Sequence, residues 1–190
     1  MKKRLSIDMN APVILSLTGL SLFMLVLSTI TDGALTTLLA AFRTSPRDPM
    51  QYLRLFSHVI VHADIAHYAG NFMMILAIGP MVEEKYGSNR LCLITVLTAA
   101  VTGLVNVIFF PGTAVVGASG IVFMLILMAS FSNIRQSKLP ITVPLVAILY
   151  IGNEIVLGLF TVSNISRISH IVGGLCGACY GVVVHLRKLR

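Results

Sequence analysis

Four polar side chains in an otherwise apolar chain have the types that acyl-transfer chemistry needs. Ser119, inside the run Gly117-Ala118-Ser119-Gly120, offers a hydroxyl nucleophile, and His170 offers a general base that can later act as an acid. His67 and Asn71 are one helical turn apart, so they share a face and can aim side-chain donors at one developing oxyanion. No carboxylate belongs to the set, so the chemistry it would support is that of a serine hydrolase with a dyad. Gly117 and Gly120 remove side chains where a backbone or a substrate must come close. Each feature alone also has a structural reading: small-residue packing for the G-x-S-G run, and hydrogen bonding between helices for the histidines and the asparagine.

The elements that would position these residues follow from composition. The chain has 190 residues, is 56% hydrophobic and only 11% charged, and has a mean hydropathy of +0.91. Soluble domains carry about 25% charged residues, so a lipid bilayer is the implied solvent. The formal charge of +7 comes from short basic clusters between apolar runs, which marks them as topology determinants and argues against nucleic-acid binding. Cys92, Cys176 and Cys179 lie inside apolar runs; Cys176-Gly-Ala-Cys179 lacks the context of a redox motif and reads as packing. No zinc-type ligand spacing is present, and neither a metal nor a cofactor is expected. The N-terminal Met1-Lys2-Lys3-Arg4 followed by a long apolar run reads as a retained first span, because the run exceeds a signal-peptide core.

About 20 helical residues span the hydrocarbon core. Six segments qualify, at 12–30, 64–82, 91–110, 116–133, 140–160 and 168–186, with a long first loop at 31–63. The expectation is one all-α, polytopic domain over residues 1–190, a bundle of six transmembrane helices without internal repeats. With both termini cytoplasmic, ten of the 14 Lys and Arg residues fall inside and only Arg43, Arg47, Arg54 and Arg167 outside. The second, fourth and sixth spans then run inward from the outer face. His67, Asn71, Ser119 and His170 all sit near their starts, at one depth. Gly173, Gly177 and Gly181 follow His170 along one face, which allows close approach to a neighbouring helix. If that neighbour is the fourth span, His170 comes within reach of Ser119.

Taken together, these residues resemble the rhomboid intramembrane serine proteases over nearly the whole chain. The resemblance is carried by His67-x-x-x-Asn71, by Gly117-Ala-Ser119-Gly120 and by His170-x-x-Gly173-x-x-x-Gly177, in family order and spacing. Arg54, His58 and His62 upstream, and Gly79 to Glu83, also match family positions. The resemblance implies a six-helix rhomboid-like bundle and a Ser119–His170 dyad. It implies an oxyanion hole from His67, Asn71 and backbone N–H groups near Ser119. It also implies transmembrane segments of other membrane proteins as substrates, cut near the outer membrane surface without a metal or cofactor. Spans two and five are gate elements by the same resemblance. Three positions depart from the pattern: Leu53 stands where many relatives have tryptophan, Phe123 where some have tyrosine, and Pro80 interrupts a small-residue pair.

Several residues have less defined roles. Glu154, beside Asn153 in the fifth span, needs a partner or a route to water; it either faces the cavity or bonds locally. Glu83 and Glu84 read as a charge cluster with Lys85 and Arg90, and Asp64 as a helix N-cap; His58 and His62, one helical turn apart, read as hydrogen-bonding residues of the first loop in preference to a metal-binding pair. Intact Ser119 and His170 weigh against a catalytically inactive, client-binding relative. The clustering of polar groups at one end of three helices, without an inverted repeat, weighs against a transporter. A bacterial plasma membrane is the expected location. Oligomeric state and natural substrate have no signature in the sequence.

Overall fold

The computed structural model describes residues 10–132 and 165–188, with isolated positions 141, 144, 145, 148, 149 and 152. Seven α-helices are described: α1 (Pro12–Ile30), α2 (Ala34–Leu39), α3 (Pro49–Ser57), α4 (Ile65–Tyr86), α5 (Ser88–Phe109), α6 (Ser119–Ser132) and α7 (Ile165–Lys188). A 3-10 turn, His58–Ile60, follows α3. Among the described residues the β pairing is one isolated antiparallel bridge between Ala41 and Val115. Among the described residues four helices, α1, α4, α5 and α7, are long and apolar enough to cross a membrane. The expected fifth segment, 140–160, and Glu154 within it lie outside the described residues apart from the isolated positions named above.

Helix α6 is the centre of the bundle and packs against α4, α5 and α7. Ile121, Val122 and the run Met124 to Met128 are buried, so this helix is apolar on every side. Its described part, Ser119–Ser132, has 14 residues, or about 21 Å at 1.5 Å per residue. The sequence reading placed this span at 116–133. The helix instead begins at Ser119, because Gly117 adopts φ +105° and the chain before it is extended. Irregular backbone at such a place requires protein partners for its polar groups.

The long first loop supplies them. Arg54 is buried; its Nε donates to Leu38 O at 2.8 Å, its Nη1 reaches Asp48 at 3.4 Å, and its guanidinium lies 4.2 Å from the Phe42 ring centroid. Ser57 Oγ donates to Leu39 O at 2.9 Å, and Gln51 accepts from Thr44 N at 2.6 Å. Leu53, at the position of the missing tryptophan, is exposed, so the loop is anchored through Arg54 and its polar neighbours. The loop then meets α5 at Gly103, where an added Cβ would sit 2.8 Å from Leu55 O. Asn106 Nδ2 donates to Ala41 O and Thr113 O at 2.9 and 3.1 Å, fastening the loop to the segment that leads into α6.

At the opposite end of the bundle the structure corrects the reading of Glu83. No ion pair joins it to Lys85 or Arg90 among the described residues. Its two carboxylate oxygens accept from Val13 N and Ile14 N, both at 3.0 Å. The N-cap of α1, Ala11, has no side chain to satisfy these donors, so a buried carboxylate from α4 does so. Gly79, one turn earlier, lets Ile14 sit where a Cβ would be, and Tyr68 Oη donates to Thr18 O at 3.1 Å. The expected loop between spans two and three is only Gly87, at φ +86°, so α4 and α5 extend through the charged residues.

Candidate active site

The site is built where the first loop, α4, α6 and α7 meet. The backbone entering α6 is held from the first loop. Gly117 N donates to His58 O at 2.9 Å, Ala118 N donates to His62 Nε2 at 3.3 Å, and Val115 pairs with Ala41. Both histidines are about 1% exposed, and burial pushes each down to about 4, so both are neutral at pH 7. The tautomers follow from their partners. His58 Nδ1 faces Arg54 O at 3.1 Å and must donate, which leaves Nε2 unprotonated, 3.3 Å from Thr102 Oγ1, a hydroxyl that also lies 2.8 Å from Thr98 O. His62 accepts through Nε2, so its proton is on Nδ1.

Ser119 is the first residue of α6 and is half-buried. Ile121 N and Val122 N both turn back to Ala118 O, and the preceding N–H groups of Gly117 and Ala118 are used by the two histidines. The N–H groups of Ser119 and Gly120 are the donors left at the positive end of the helix.

Helix α4 brings His67 and Asn71 against Gly117. A Cβ on Gly117 would lie 2.6 Å from His67 Nε2 and 3.3 Å from Asn71 Nδ2. Asp64 starts this helix by accepting from His67 N at 2.7 Å, which fixes where the histidine emerges. Asn71 is buried, and its Nδ2 has no hydrogen-bond partner among the described residues. The ring of His67 is edge-on to His62, centroids 5.2 Å apart.

Helix α7 closes the other side through its glycines. A Cβ at Gly173 would fall on the Gly120 carbonyl, one at Gly177 on the Met124 carbonyl, and one at Gly181 within 2.7 Å of the Phe131 ring. The contact of Gly173 with Gly120 is one turn from His170 and next to Ser119. Phe123, one turn into α6, stacks on His170 with ring centroids 4.5 Å apart and planes 8° from parallel.

The structure therefore brings Ser119, His170, His67, Asn71, Gly117 and Phe123 to one place. His62 and Gly173 support that place from behind, Arg54 acts through the first loop, and Glu83 is at the far end. Gly117 contributes space; its N–H is committed to His58 O. Sequence reasoning passed over Thr98, Thr102 and Asn106 on α5, all buried. Thr98 Oγ1 donates to Met124 Sδ at 3.1 Å, Thr102 meets His58, and Asn106 fixes the loop. Their spacing of four along an apolar helix was the available signal.

The Rhomboid domain family matches residues 49–187. Rhomboid protease GluP of Bacillus subtilis is 34% identical over 134 residues, covering 68% of this chain and 25% of the relative. Rhomboid-related protein 2 of Mus musculus is 29% identical over 143 residues, or 69% of this chain and 47% of the relative. Rhomboid protease GlpG of Serratia proteamaculans is 26% identical over 137 residues, or 70% of this chain and 49% of the relative. The matched part thus spans between a quarter and about half the length of these proteins.

Proposed function

The chain belongs to the rhomboid family and is a multi-pass integral membrane protein, and from that premise we propose that it is an intramembrane serine endopeptidase acting on transmembrane segments of other proteins. Ser119 Oγ attacks the scissile carbonyl carbon while His170 takes the hydroxyl proton. The carbonyl oxygen becomes an oxyanion facing His67, Asn71 and the N–H groups at the start of α6. Collapse of this adduct breaks the C–N bond, and His170 gives its proton to the departing amine. Water, deprotonated by His170, then hydrolyses the acyl-Ser119 ester and restores the hydroxyl.

The observation that carries the proposal is Asn71 Nδ2. A buried amide donor without a partner is uncommon and costs roughly 1–3 kcal/mol. Here it lies beside Gly117, 3.3 Å from where a Cβ would stand, and an oxyanion formed at that place would satisfy it. A carbonyl hidden in its own helical hydrogen bond cannot enter such a site, so the substrate must unwind locally.

The test is cleavage of a model transmembrane substrate in proteoliposomes by wild type, Ser119→Ala and His170→Ala at matched protein levels. Both variants should lose cleavage, and a fluorophosphonate should label wild type but not Ser119→Ala. Undiminished cleavage by Ser119→Ala would end the proposal.

A further inference from the structure

A cavity of about 490 Å³ lies apart from Ser119, between the C-terminal half of α1 and the residues that enter α4. That is within the range of small-ligand sites, about 300–1,000 Å³. Leu22, Leu25 and Val26 of α1 form one wall, Asp32 stands at the turn beyond it, and His62 and Asp64 line the facing side.

Three features give the cavity a chemistry. The first is His62 at its floor. Its Nε2 accepts from Ala118 N, so Nδ1, across the ring, carries the proton; this buried donor has no partner among the described residues. The second is a pair of exposed carboxylates, Asp32 and Asp64, and neither has a cationic partner among the described residues. Asp64 Oδ1 caps α4, which leaves its other oxygen available, and Asp32 is held at the rim by a tight turn at φ +49°. The third is the lip: Leu22, Val26 and Ile65 are 44%, 50% and 64% exposed, an apolar surface continuous with the membrane-facing side of α1.

Anions at the rim, a neutral N–H donor at the floor and hydrocarbon at the lip match the parts of one molecule class. We infer that this cavity binds an aminophospholipid of the leaflet at the C-terminal end of α1. Its ammonium lies between Asp32 and Asp64, a phosphate oxygen accepts from His62 Nδ1–H, and an acyl chain follows Leu22 and Val26. A choline headgroup has no N–H to give the carboxylates, and a glycerol headgroup has no cation. Nδ1 is covered by protein atoms, so seating the phosphate requires the His62 ring to turn this edge toward the cavity. The lipid then fixes the tautomer that holds Ala118 N, one residue before Ser119.

The test uses the full chain in mixed micelles titrated with phosphatidylethanolamine, phosphatidylcholine or phosphatidylglycerol, reading retained lipid by native mass spectrometry and thermal unfolding in parallel. Phosphatidylethanolamine should be retained preferentially and raise the melting temperature. Asp32→Asn keeps a residue type that tolerates the turn and should weaken retention about tenfold, the loss of one charge-assisted hydrogen bond. Val26→Trp, introduced from an exposed position, should fill the cavity and abolish retention while leaving melting in lipid-free micelles unchanged. Equal retention of the three lipids, wild-type retention by both variants, or full competition by soluble glycerophosphoethanolamine would each overturn the assignment. Neither readout involves peptide cleavage, so the result is independent of the protease proposal.

Discussion

The imidazole of His170 lies flat on the ring of Phe123, with centroids 4.5 Å apart and planes 8° from parallel. The contact joins α7 to α6 one turn from Ser119 and restricts rotation of the histidine about its own side-chain bonds. Stacked pairs of this kind contribute about 0.5–1.5 kcal/mol beyond area burial. Phe123→Ala should therefore lower kcat by roughly two- to tenfold with little change in KM, and Phe123→Tyr should restore it. Steady-state cleavage of a model transmembrane substrate distinguishes the two; an unchanged kcat in Phe123→Ala would show that stacking does not position His170.

Asn71→Ala removes the unpartnered donor beside Gly117 and should lower kcat by about 10²–10³-fold while leaving substrate affinity nearly intact. Gly117→Ala should be as damaging for a different reason: a Cβ there would lie 2.6 Å from His67 Nε2 at a backbone φ of +105°. Kinetics for both, with fluorophosphonate labelling as a check on the Ser119 nucleophile, separate loss of oxyanion donors from loss of the fold.

The α6–α7 interface makes a paired prediction. Gly173→Ala puts a methyl group on the Gly120 carbonyl and should cost about 1–3 kcal/mol and most activity. At Gly174 the nearest atom is Leu127 Cδ2 at 3.7 Å, so Gly174→Ala should be close to neutral. Thermal unfolding in one detergent compares them; equal effects would contradict the close approach at Gly173.

Glu83→Ala leaves the Val13 and Ile14 N–H groups without their acceptor and should destabilise by about 2–3 kcal/mol. Glu83→Gln retains an acceptor oxygen and should cost roughly half as much. If the two variants unfold like wild type, the carboxylate is not the cap of α1.

His58 and His62 give a pH dependence of stability. Burial holds each near 4 in the folded protein against 6.5 when unfolded. Between these values the unfolded chain binds protons that the folded one does not, so stability is full above about pH 6.5 and falls as pH drops toward 4. Each residue contributes at most about 1.4 kcal/mol per pH unit across that window. Melting temperature measured from pH 8 to pH 4 should decline in this range, and His58→Asn should flatten the curve. A melting temperature constant down to pH 5 would mean that neither ring is buried neutral.

Much of the bundle was legible in the sequence because bilayer solvation writes it locally. Pro12 to Ile30 is a helix with the bounds that hydropathy assigned. The shared face of His67 and Asn71 and the stripe Gly173, Gly177 and Gly181 follow from the helical period alone. That these faces meet at Gly117 and along α6 is geometry.

Tertiary structure decided what depends on backbone groups, which leave no mark in residue type. Glu83 looked like one member of a charged cluster, yet its acceptors serve the N-terminus of α1, far away in sequence. The start of α6 lies three residues later than hydropathy placed it, because hydropathy cannot tell apolar helix from apolar chain; only Gly117 at positive φ, with its N–H bonded to His58 O, ends the extended segment. The sequence by itself determined a membrane bundle and the residue types that chemistry at Ser119 would use. Only the fold decided that the N–H groups of Gly117 and Ala118 are committed to the first loop while Asn71 Nδ2 is not, because hydrogen-bond satisfaction is a property of contacts.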